Sequence, residues 1–165
     1  MRFVMKQKLL SLRDSFEIFD DKDRLAYVAK GKFFSLRKSL TVRDVNEREV
    51  VSVKQKLLAI KQTFFITFPD GTQCRIKKRF FPWITSRFII KTPGADVEVT
   101  GDIFSHEYQF VAAGQLIAQV SKRWFSIGDT YGVDIAHEED IPLVLAAVAI
   151  IDMSMHGDSG SIGSD

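Results

Sequence analysis

The order of apolar and polar residues in this chain repeats at a nearly constant interval. The repeated pattern is basic, any, basic, apolar, apolar, small, apolar, and successive copies begin 24, 24, 23, 23 and 21 residues apart. A period of this length indicates a fold built from similar supersecondary units. The six copies are KQKLLSL at 6–12, KGKFFSL at 30–36, KQKLLAI at 54–60, KKRFFPW at 77–83, TGDIFSH at 100–106 and SKRWFSI at 121–127. The fifth copy fits weakly, because it has lost the basic residues.

Each repeat contains two short runs that are typical of β-strands. In the second repeat these runs are LAYVAKGKF at 25–33 and LTVRD at 40–44, which are rich in β-forming residues and partly alternate in polarity. Turn signals such as DDKD at 20–23 and PDG at 69–71 separate neighbouring runs. Six repeats of two strands predict 12 short antiparallel strands between residue 2 and about residue 136.

The alternation also predicts which side of each strand faces the core. Successive side chains of a strand point to opposite faces. In the fourth repeat this places Cys74, Ile76 and Lys78 on the inner face, with Lys77 and Arg79 on the outer face. The slot that Lys78 occupies holds a polar residue or glycine in every copy, so we expect it near a rim of the fold, where a long side chain can reach water.

The strand region is followed by IPLVLAAVAII, residues 141–151, which has no polar face. With Asp140 as a candidate N-cap and Pro142 in the first turn, this segment predicts a helix over about residues 140–156. A helix that is apolar all round is buried either in a membrane or in protein. At about 1.5 Å per residue this helix spans roughly 25 Å, short of the roughly 30 Å bilayer core, which favours burial in protein.

The strands can enclose the helix. Twelve strands about 4.8 Å apart and tilted near 40° close into a barrel of about 12 Å backbone radius, which leaves one layer of side chains around a central helix. The predicted fold class is therefore mainly β, a closed 12-stranded antiparallel barrel around a buried C-terminal helix, in a single domain over residues 1–157. The Gly/Ser-rich residues 158–165 are predicted to be a disordered tail.

Composition and charge indicate which cellular compartment and which partners to expect. Cys74 is the only cysteine, so an intramolecular disulfide is excluded and a reducing compartment is expected. The N-terminus lacks the apolar run of a signal peptide, which predicts a cytoplasmic protein. A net charge of +2 is too small to indicate binding to nucleic acid or to membranes by itself, although local clusters of charge could still matter. We expect a monomer without nucleic acid as a partner.

Several stretches resemble the LURP-one-related family of the tubby C-terminal-like superfamily. They are the first repeat with its extension, KQKLLSLRDSFEIFD, then GDIFSHEYQF at 101–110 and VSKRWFSIGDTYGVDI at 120–135, ahead of the apolar helix. The resemblance covers residues 1 to about 155 and implies a 12-stranded barrel around a central helix. It implies little about activity, because the superfamily includes both phosphoinositide-binding tubby proteins and phospholipid scramblases. No binding residue of either group can be matched to a position of this chain.

The sharpest local feature is the basic and aromatic stretch RIKKRFFPWITSR at 75–87. Basic side chains could contact anionic lipid headgroups, and an aromatic ring could sit at the membrane interface. The alternative is a solvated strand face, because basic outer faces recur in other repeats. The residues predicted to contact anionic lipid are Lys77, Lys78, Arg79 and Arg87 as charges and Trp83 as an anchor.

Acidic residues between the last strand and the helix invite comparison with the proposed calcium-binding segment of scramblases. They are Asp129, Asp134, Glu138, Glu139 and Asp140. Their spacing is not that of an EF-hand, and helix capping also explains them, so calcium binding stays open here.

The remaining candidates for chemistry are histidines and the cysteine. His106, His137 and His156 do not have metal-ligand spacing. His106 fills a slot that is elsewhere Leu, Ile or Trp, which favours a packed rim histidine, and Cys74 alternates with Ile76 as a core residue. We therefore predict no catalytic residue, no metal site and no cofactor.

These patterns favour a non-enzymatic binding or scaffold module with its ligand on the barrel exterior, in peripheral contact with an anionic membrane surface. One alternative is an enzyme or ligand-binding protein with its site in a rim groove. A second alternative is scramblase-like lipid translocation, against which the length of the helix argues.

Overall fold

The computed structural model describes residues 1–8, 15–32, 37–57, 62–81, 84–123 and 130–157, with only the backbone at 80–81, 84–87 and 156–157. Within these residues 12 antiparallel strands close into a barrel in sequence order, with β1 paired to both β2 and β12. The strands are β1 (Arg2–Lys8), β2 (Ser15–Phe19), β3 (Leu25–Lys32), β4 (Ser39–Asp44), β5 (Glu49–Gln55), β6 (Thr63–Thr67), β7 (Gln73–Phe81), β8 (Ile84–Lys91), β9 (Val97–Asp102), β10 (Glu107–Ala112), β11 (Gln115–Ser121) and β12 (Thr130–Ile135).

The up-and-down order gives the barrel two distinct ends. At the upper end, even-numbered strands finish, odd-numbered strands begin, and the chain passes through a short 3₁₀ turn (Glu138–Asp140) into helix α1 (Ile141–Gly157). At the lower end, odd-numbered strands finish and even-numbered strands begin. Helix α1 runs inside the barrel from the upper end to the lower end, because its later residue Asp152 contacts His106 between β9 and β10. The predicted fold class is confirmed.

The sequence repeat corresponds to equivalent inward positions of successive hairpins. Phe16, Leu40, Phe64 and Phe88 lie 24 residues apart, and each is at most 2% exposed in the core around α1. Two residues further on, the same interval relates Ile18, Val42, Ile66 and Ile90, all fully buried. Four successive hairpins therefore place the same pair of large apolar positions in the core.

The turns at the upper end repeat as well. In the turns that begin at Asp20, Asp44 and Phe68, the N–H of the first residue donates to the carbonyl of the fifth, and the N–H of the fourth donates to the carbonyl of the first. The fourth residue has a positive φ each time, 57° at Asp23, 62° at Glu47 and 87° at Gly71. Three successive hairpins thus share one turn geometry as well as one packing pattern.

Helix α1 fills the barrel. Every residue from Val144 to Ile150 is fully buried, and the helix packs most closely on β4 and β5. Asp140 lies within the 3₁₀ turn that leads into the helix, and Pro142 is in the first helical turn as expected. None of the helical segments among the described residues combines the length and apolarity that crossing a bilayer requires. The predicted tail, 158–165, lies outside the described residues.

Candidate functional site

The basic strand β7 has the two faces that its alternation predicted. Lys77 is half-buried and Arg79 exposed on the outer surface, whereas Lys78 is only 3% exposed on the inner face. The prediction that Lys78 contacts lipid beside Lys77 and Arg79 does not fit this position, because the strand turns its side chain inward. The backbone of Arg87 on β8 lies opposite Arg79. Trp83 lies outside the described residues.

The polar inner slot lies at the lower end of the barrel, but Lys78 in that slot is buried and does not reach water as expected. Gln7 and Gln55 are half-buried there, at the ends of β1 and β5. Gln55 is held by Lys38, whose carbonyl accepts the N–H of Gln55 at 2.9 Å and whose N–H donates to its Oε1 at 3.2 Å. The backbone N–H of Lys78 donates to the carbonyl of Gln62 at 3.4 Å. Apolar packing around α1 therefore gives way to polar side chains toward this end.

Charged residues are sorted along the barrel axis. The upper end carries most of the acids, in its turns and in the 3₁₀ segment. The described acids there are Asp20, Asp21, Asp23, Asp44, Glu47, Glu49, Asp70, Asp96, Glu138, Glu139 and Asp140. Basic residues there include Arg24 and Arg48, which bind the carboxylates of Asp20 and Asp44 at 2.7 and 2.9 Å.

Among the described residues, cations outnumber acids at the lower end, although Glu17, Asp102 and Glu107 also lie there. A row of cations marks the finish of the odd-numbered strands β3, β5 and β7, and we call this row the basic rim: Lys32, Lys54, Lys56, Lys77 and Arg79. Within the described part of the chain, none of the five forms an ion pair. Elsewhere at this end cations do have acidic partners, as Lys8 has in Glu17 at 2.5 Å. The basic rim is therefore an uncompensated positive surface among the described residues.

Two large apolar side chains protrude at the same end. Leu57 follows β5 and is 50% exposed, and Phe104 in the turn between β9 and β10 is 68% exposed. The turn around Phe104 is fixed by its neighbours, since Ser105 donates through its N–H and its hydroxyl to the carboxylate of Asp102. These bonds lower the pKa of Asp102, which keeps the acceptor ionised. An ordered turn therefore presents Phe104 to solvent.

One largely buried polar contact at the lower end joins the wall to the helix. His106 Nε2 lies 2.6 Å from Asp152 Oδ1, with side-chain exposures of 16% and 1%. The imidazole also stacks on the ring of Tyr131, with 4.6 Å between ring centroids and an interplanar angle of 27°. In the described residues no hydroxyl or thiol is hydrogen-bonded to the imidazole. The contact therefore ties α1 to the β9–β10 turn and to β12.

Tyr108 packs beside this contact because of a glycine. Burial, followed by the charge of Asp152, raises the pKa of the Tyr108 phenol well above its ordinary value. Gly101 is paired with Tyr108 across β9 and β10 and has a φ of +129°. A Cβ at position 101 would lie 2.5 Å from the carbonyl oxygen of Glu107 and 2.7 Å from Tyr108 Cα. Only glycine allows the two strands to approach this closely here.

Sequence reasoning found His106 as a packed rim residue and missed its partner. The apolar run of the helix ends at Ile151, and Asp152 is the next residue, so a lone acid inside the predicted helix was the available signal. A carboxylate within a helix that fills a barrel needs a polar partner on the wall. The partner could not be chosen from the sequence, because 46 residues separate it from Asp152.

Of the acids near the helix start, Glu138, Glu139 and Asp140 share the 3₁₀ turn, whereas Asp134 lies on β12. Asp134 on β12 binds Arg2 through two contacts of 2.8 Å, and that hydrogen bonding lowers the pKa of the Asp134 carboxyl. Burial, then the neighbouring Glu139, raises the pKa of Asp140. Asp129 lies outside the described residues. In the described ranges no three His, Cys, Asp or Glu side chains converge as metal ligands would.

A 12-stranded barrel filled by its own C-terminal helix defines the class of fold. The family model described as LURP-one-related matches residues 1–152, and the chain belongs to that family. It is also similar to YxjI of Bacillus subtilis (strain 168), an uncharacterized protein, with 33% identity over 158 residues that cover 96% of each chain. The family resemblance predicted from sequence is confirmed. Because that relative carries no described activity, function has to be argued from the surface.

Proposed function

We propose that this protein is a non-enzymatic binding module that docks on anionic phospholipid membranes through the lower end of its barrel. The observation that carries the proposal is the separation of charge along the barrel axis. It leaves the basic rim without acidic partners in the described residues, beside the exposed side chains of Leu57 and Phe104. The proposed membrane contact is peripheral.

The basic rim suits a membrane surface because its cations lie together at the lower end, where β3, β5 and β7 finish. A Lys or Arg close to an anionic membrane contributes about 1 kcal/mol, so several cations acting together give useful affinity. Lys32, Lys54 and Lys56 extend the set of Lys77 and Arg79 that the sequence indicated. An outer-face site restricted to β7 would use fewer charges than the whole end of the barrel.

The apolar side chains supply the second part of the contact. Phe104 and Leu57 project at the lower end, where they can enter the headgroup region while the cations contact phosphate groups. Burial of apolar area stabilises by about 25 cal/mol per Å², so one inserted ring adds an amount comparable to a few cations. The combination distinguishes a membrane from a soluble polyanion, which offers charge without an apolar layer.

The His106–Asp152 contact does not favour an enzyme. A histidine–carboxylate pair acts in catalysis when the other imidazole nitrogen reaches a nucleophile or a bound substrate. Within the described residues the imidazole of His106 contacts the helix and the ring of Tyr131 instead. This geometry supports a structural role for the pair.

The test is co-sedimentation of the full chain with vesicles of neutral phosphatidylcholine, of phosphatidylcholine with phosphatidylglycerol, and of phosphatidylcholine with a phosphoinositide. We expect retention by the anionic vesicles that weakens with added salt, because exposed charges are screened over about 10 Å at 0.1 M salt. The variant Lys77→Glu/Arg79→Glu should lose most of the retention. The variant Phe104→Ser should bind more weakly than the original protein both at low salt and after salt is added.

A matched control uses exposed cations at opposite ends. Arg79→Glu and Lys22→Glu each change the net charge from +2 to 0, by 2 − 2 = 0, but Lys22 lies in a turn of the upper end. We expect the first to weaken vesicle binding and the second to leave it nearly unchanged. Equal loss in both variants would mean that net charge alone governs binding. Absence of binding to every vesicle would overturn the proposal.

A further inference from the structure

A groove of about 690 Å³ opens at the upper end, far from the basic rim. It runs between the β4–β5 turn and the β6–β7 turn and reaches the first turn of α1. Its floor is apolar and is formed mainly by Val50, Phe68 and Pro142. Val50 and Phe68 are half-buried and pack on the core beneath, so the floor is part of the ordered barrel.

The sides of the groove are acidic. Asp44, Glu49 and Asp70 line it, and Arg48 is the basic residue of the same lining. The Arg48 guanidinium is already bound to Asp44 at 2.9 Å. Among the described residues, the carboxylates of Glu49 and Asp70 have no ion-pair partner. Glu49 follows the β4–β5 turn and Asp70 lies in the β6–β7 turn, so each side of the groove contributes one acid without an ion-pair partner among the described residues.

The acids on the two sides are held in place by the turns. Asp70 Oδ1 accepts the N–H of Thr72 at 2.8 Å, and this hydrogen bonding lowers the pKa of the Asp70 carboxyl. Asp44 Oδ1 accepts the N–H groups of Asn46 and Arg48 at 2.8 and 3.0 Å. The negative side of the groove is thus organised before any ligand arrives, which reduces the ordering cost of binding.

We propose that this groove binds a short peptide segment of a partner protein in which an apolar side chain stands between Lys or Arg residues. The apolar side chain would pack on Val50, Phe68 and Pro142, and the basic residues on either side would face Glu49 and Asp70. The groove is open along its length, which fits a chain lying across the surface. A closed barrel has no free strand edge, so the partner is recognised by side chains and not by added strand pairing.

The experiment selects peptides from a phage-displayed library of random heptapeptides on the immobilised full-length protein. Enriched peptides are synthesised with a fluorophore, and binding is measured by fluorescence anisotropy. We expect enrichment of an apolar residue flanked by Lys or Arg. The variant Glu49→Gln/Asp70→Asn should weaken binding about tenfold, since it removes two exposed charge pairs but keeps the acceptor for the Thr72 N–H.

The matched control is Asp21→Asn/Asp23→Asn, which removes two negative charges from a neighbouring turn of the same end, outside the groove. Its peptide affinity should stay close to that of the original protein. The proposal is overturned if no peptide is enriched over an uncoated surface, if the enriched peptides lack basic residues, or if both variants weaken binding equally. Vesicle binding of Glu49→Gln/Asp70→Asn should be unchanged, so this test is separate from that of the proposed function.

Discussion

Asp152 brings a carboxylate into the interior of the barrel, where the His106 imidazole contacts it at 2.6 Å. His106→Ala should lower the free energy of unfolding by about 1–3 kcal/mol, because the buried carboxylate loses a hydrogen bond that water cannot replace. Chemical denaturation measures the difference. His137→Ala is the matched control, since that histidine is exposed, and its effect should fall within about 0.5 kcal/mol.

A second variant distinguishes loss of the hydrogen bond from loss of packing as the cause of destabilisation in His106→Ala. His106→Leu/Asp152→Leu removes the imidazole and the carboxylate together and leaves apolar side chains in their place. We expect this double variant to be destabilised less than His106→Ala, because it leaves no buried charge without its imidazole. If the double variant unfolds more easily than His106→Ala, apolar substitutes do not fit the site and the polar pair is required for shape.

Gly101 shows the effect of one absent side chain on strand pairing. Its φ of +129° and the 2.5 Å separation between a built Cβ and the Glu107 carbonyl oxygen make Gly101→Ala both strained and sterically blocked. We expect a loss of about 1–3 kcal/mol in unfolding free energy. Gly114→Ala is the comparison, because Gly114 also has a positive φ, 78°, but no atom lies within 4 Å of its built Cβ. A loss at position 101 no greater than at 114 would contradict the steric argument.

Among the elements, two of the upper-end turns combine the shared backbone geometry with an aspartate that binds an arginine four residues later. The Arg24 guanidinium, with the backbone N–H groups of Arg24 and Lys22, lowers the pKa of Asp20 below its ordinary value of 3.8. The ionised carboxylate is therefore stabilised in the folded chain. Its contribution is fully present above the unfolded pKa and is lost as the pH falls through the lower folded pKa.

The corresponding prediction compares Asp20→Asn with the original chain in thermal unfolding between pH 7 and pH 2. The original chain should have the higher Tm near neutral pH, and the difference should shrink below about pH 4. Asp21→Asn, which alters an exposed carboxylate of the same turn, should show a smaller difference near neutral pH. A Tm difference at position 20 that persists unchanged at pH 2 would show that the charge is not its cause.

The elements were predictable from the sequence because their signals are local and repeated. Alternation placed Cys74, Ile76 and Lys78 on one face, and the 24-residue interval counted the hairpins correctly. The helix was recognised because an apolar segment of that length fits only a protein interior. The geometry shared by the turns that begin at Asp20, Asp44 and Phe68 was harder to predict. The first two turns begin with an aspartate, whereas the third begins with a phenylalanine.

The candidate surfaces were less predictable, for reasons of geometry. The cluster on β7 could be recognised because its residues are neighbours in the sequence, whereas Lys32, Lys54 and Arg79 come to the same end only when the strands pair. The acidic groove required knowledge of two turns and the helix start together, and Glu49 and Asp70 are far apart in the chain. Alternation placed Lys78 on the inner face, but its burial could not be predicted, because a lysine near the end of a strand can also reach water.

At the scale of the whole molecule, the repeat builds the charge separation along with the barrel. The early copies place two basic residues where odd strands finish, and the opposite turns carry Asp or Glu. Because an up-and-down barrel sends every odd strand the same way, residues at the same place in successive repeats gather at one end. The resulting molecule has a basic lower end with protruding apolar side chains and an acidic upper end with a groove.

The difference in charge between the two ends predicts the orientation of the protein on a membrane. Phe104 and Val45 are 68% and 59% exposed at the lower and upper ends, and each can be replaced by cysteine for labelling with the environment-sensitive fluorophore NBD. The native Cys74 is 5% exposed, and burial raises the pKa of its thiol, so it should react slowly with the label. With phosphatidylglycerol vesicles, NBD at position 104 should shift to shorter wavelength and gain intensity, because it enters an apolar environment.

The same label at position 45 should respond little, since the upper end faces away from the membrane in the proposed orientation. High salt should reverse the response at position 104, because the basic rim holds the lower end at the surface. Neutral vesicles should give no response at either position. A response at position 45 without one at 104 would place the acidic end on the membrane and would contradict the role of the basic rim. Equal responses at both positions would indicate adsorption without orientation, and the charge separation would then have to serve a different partner.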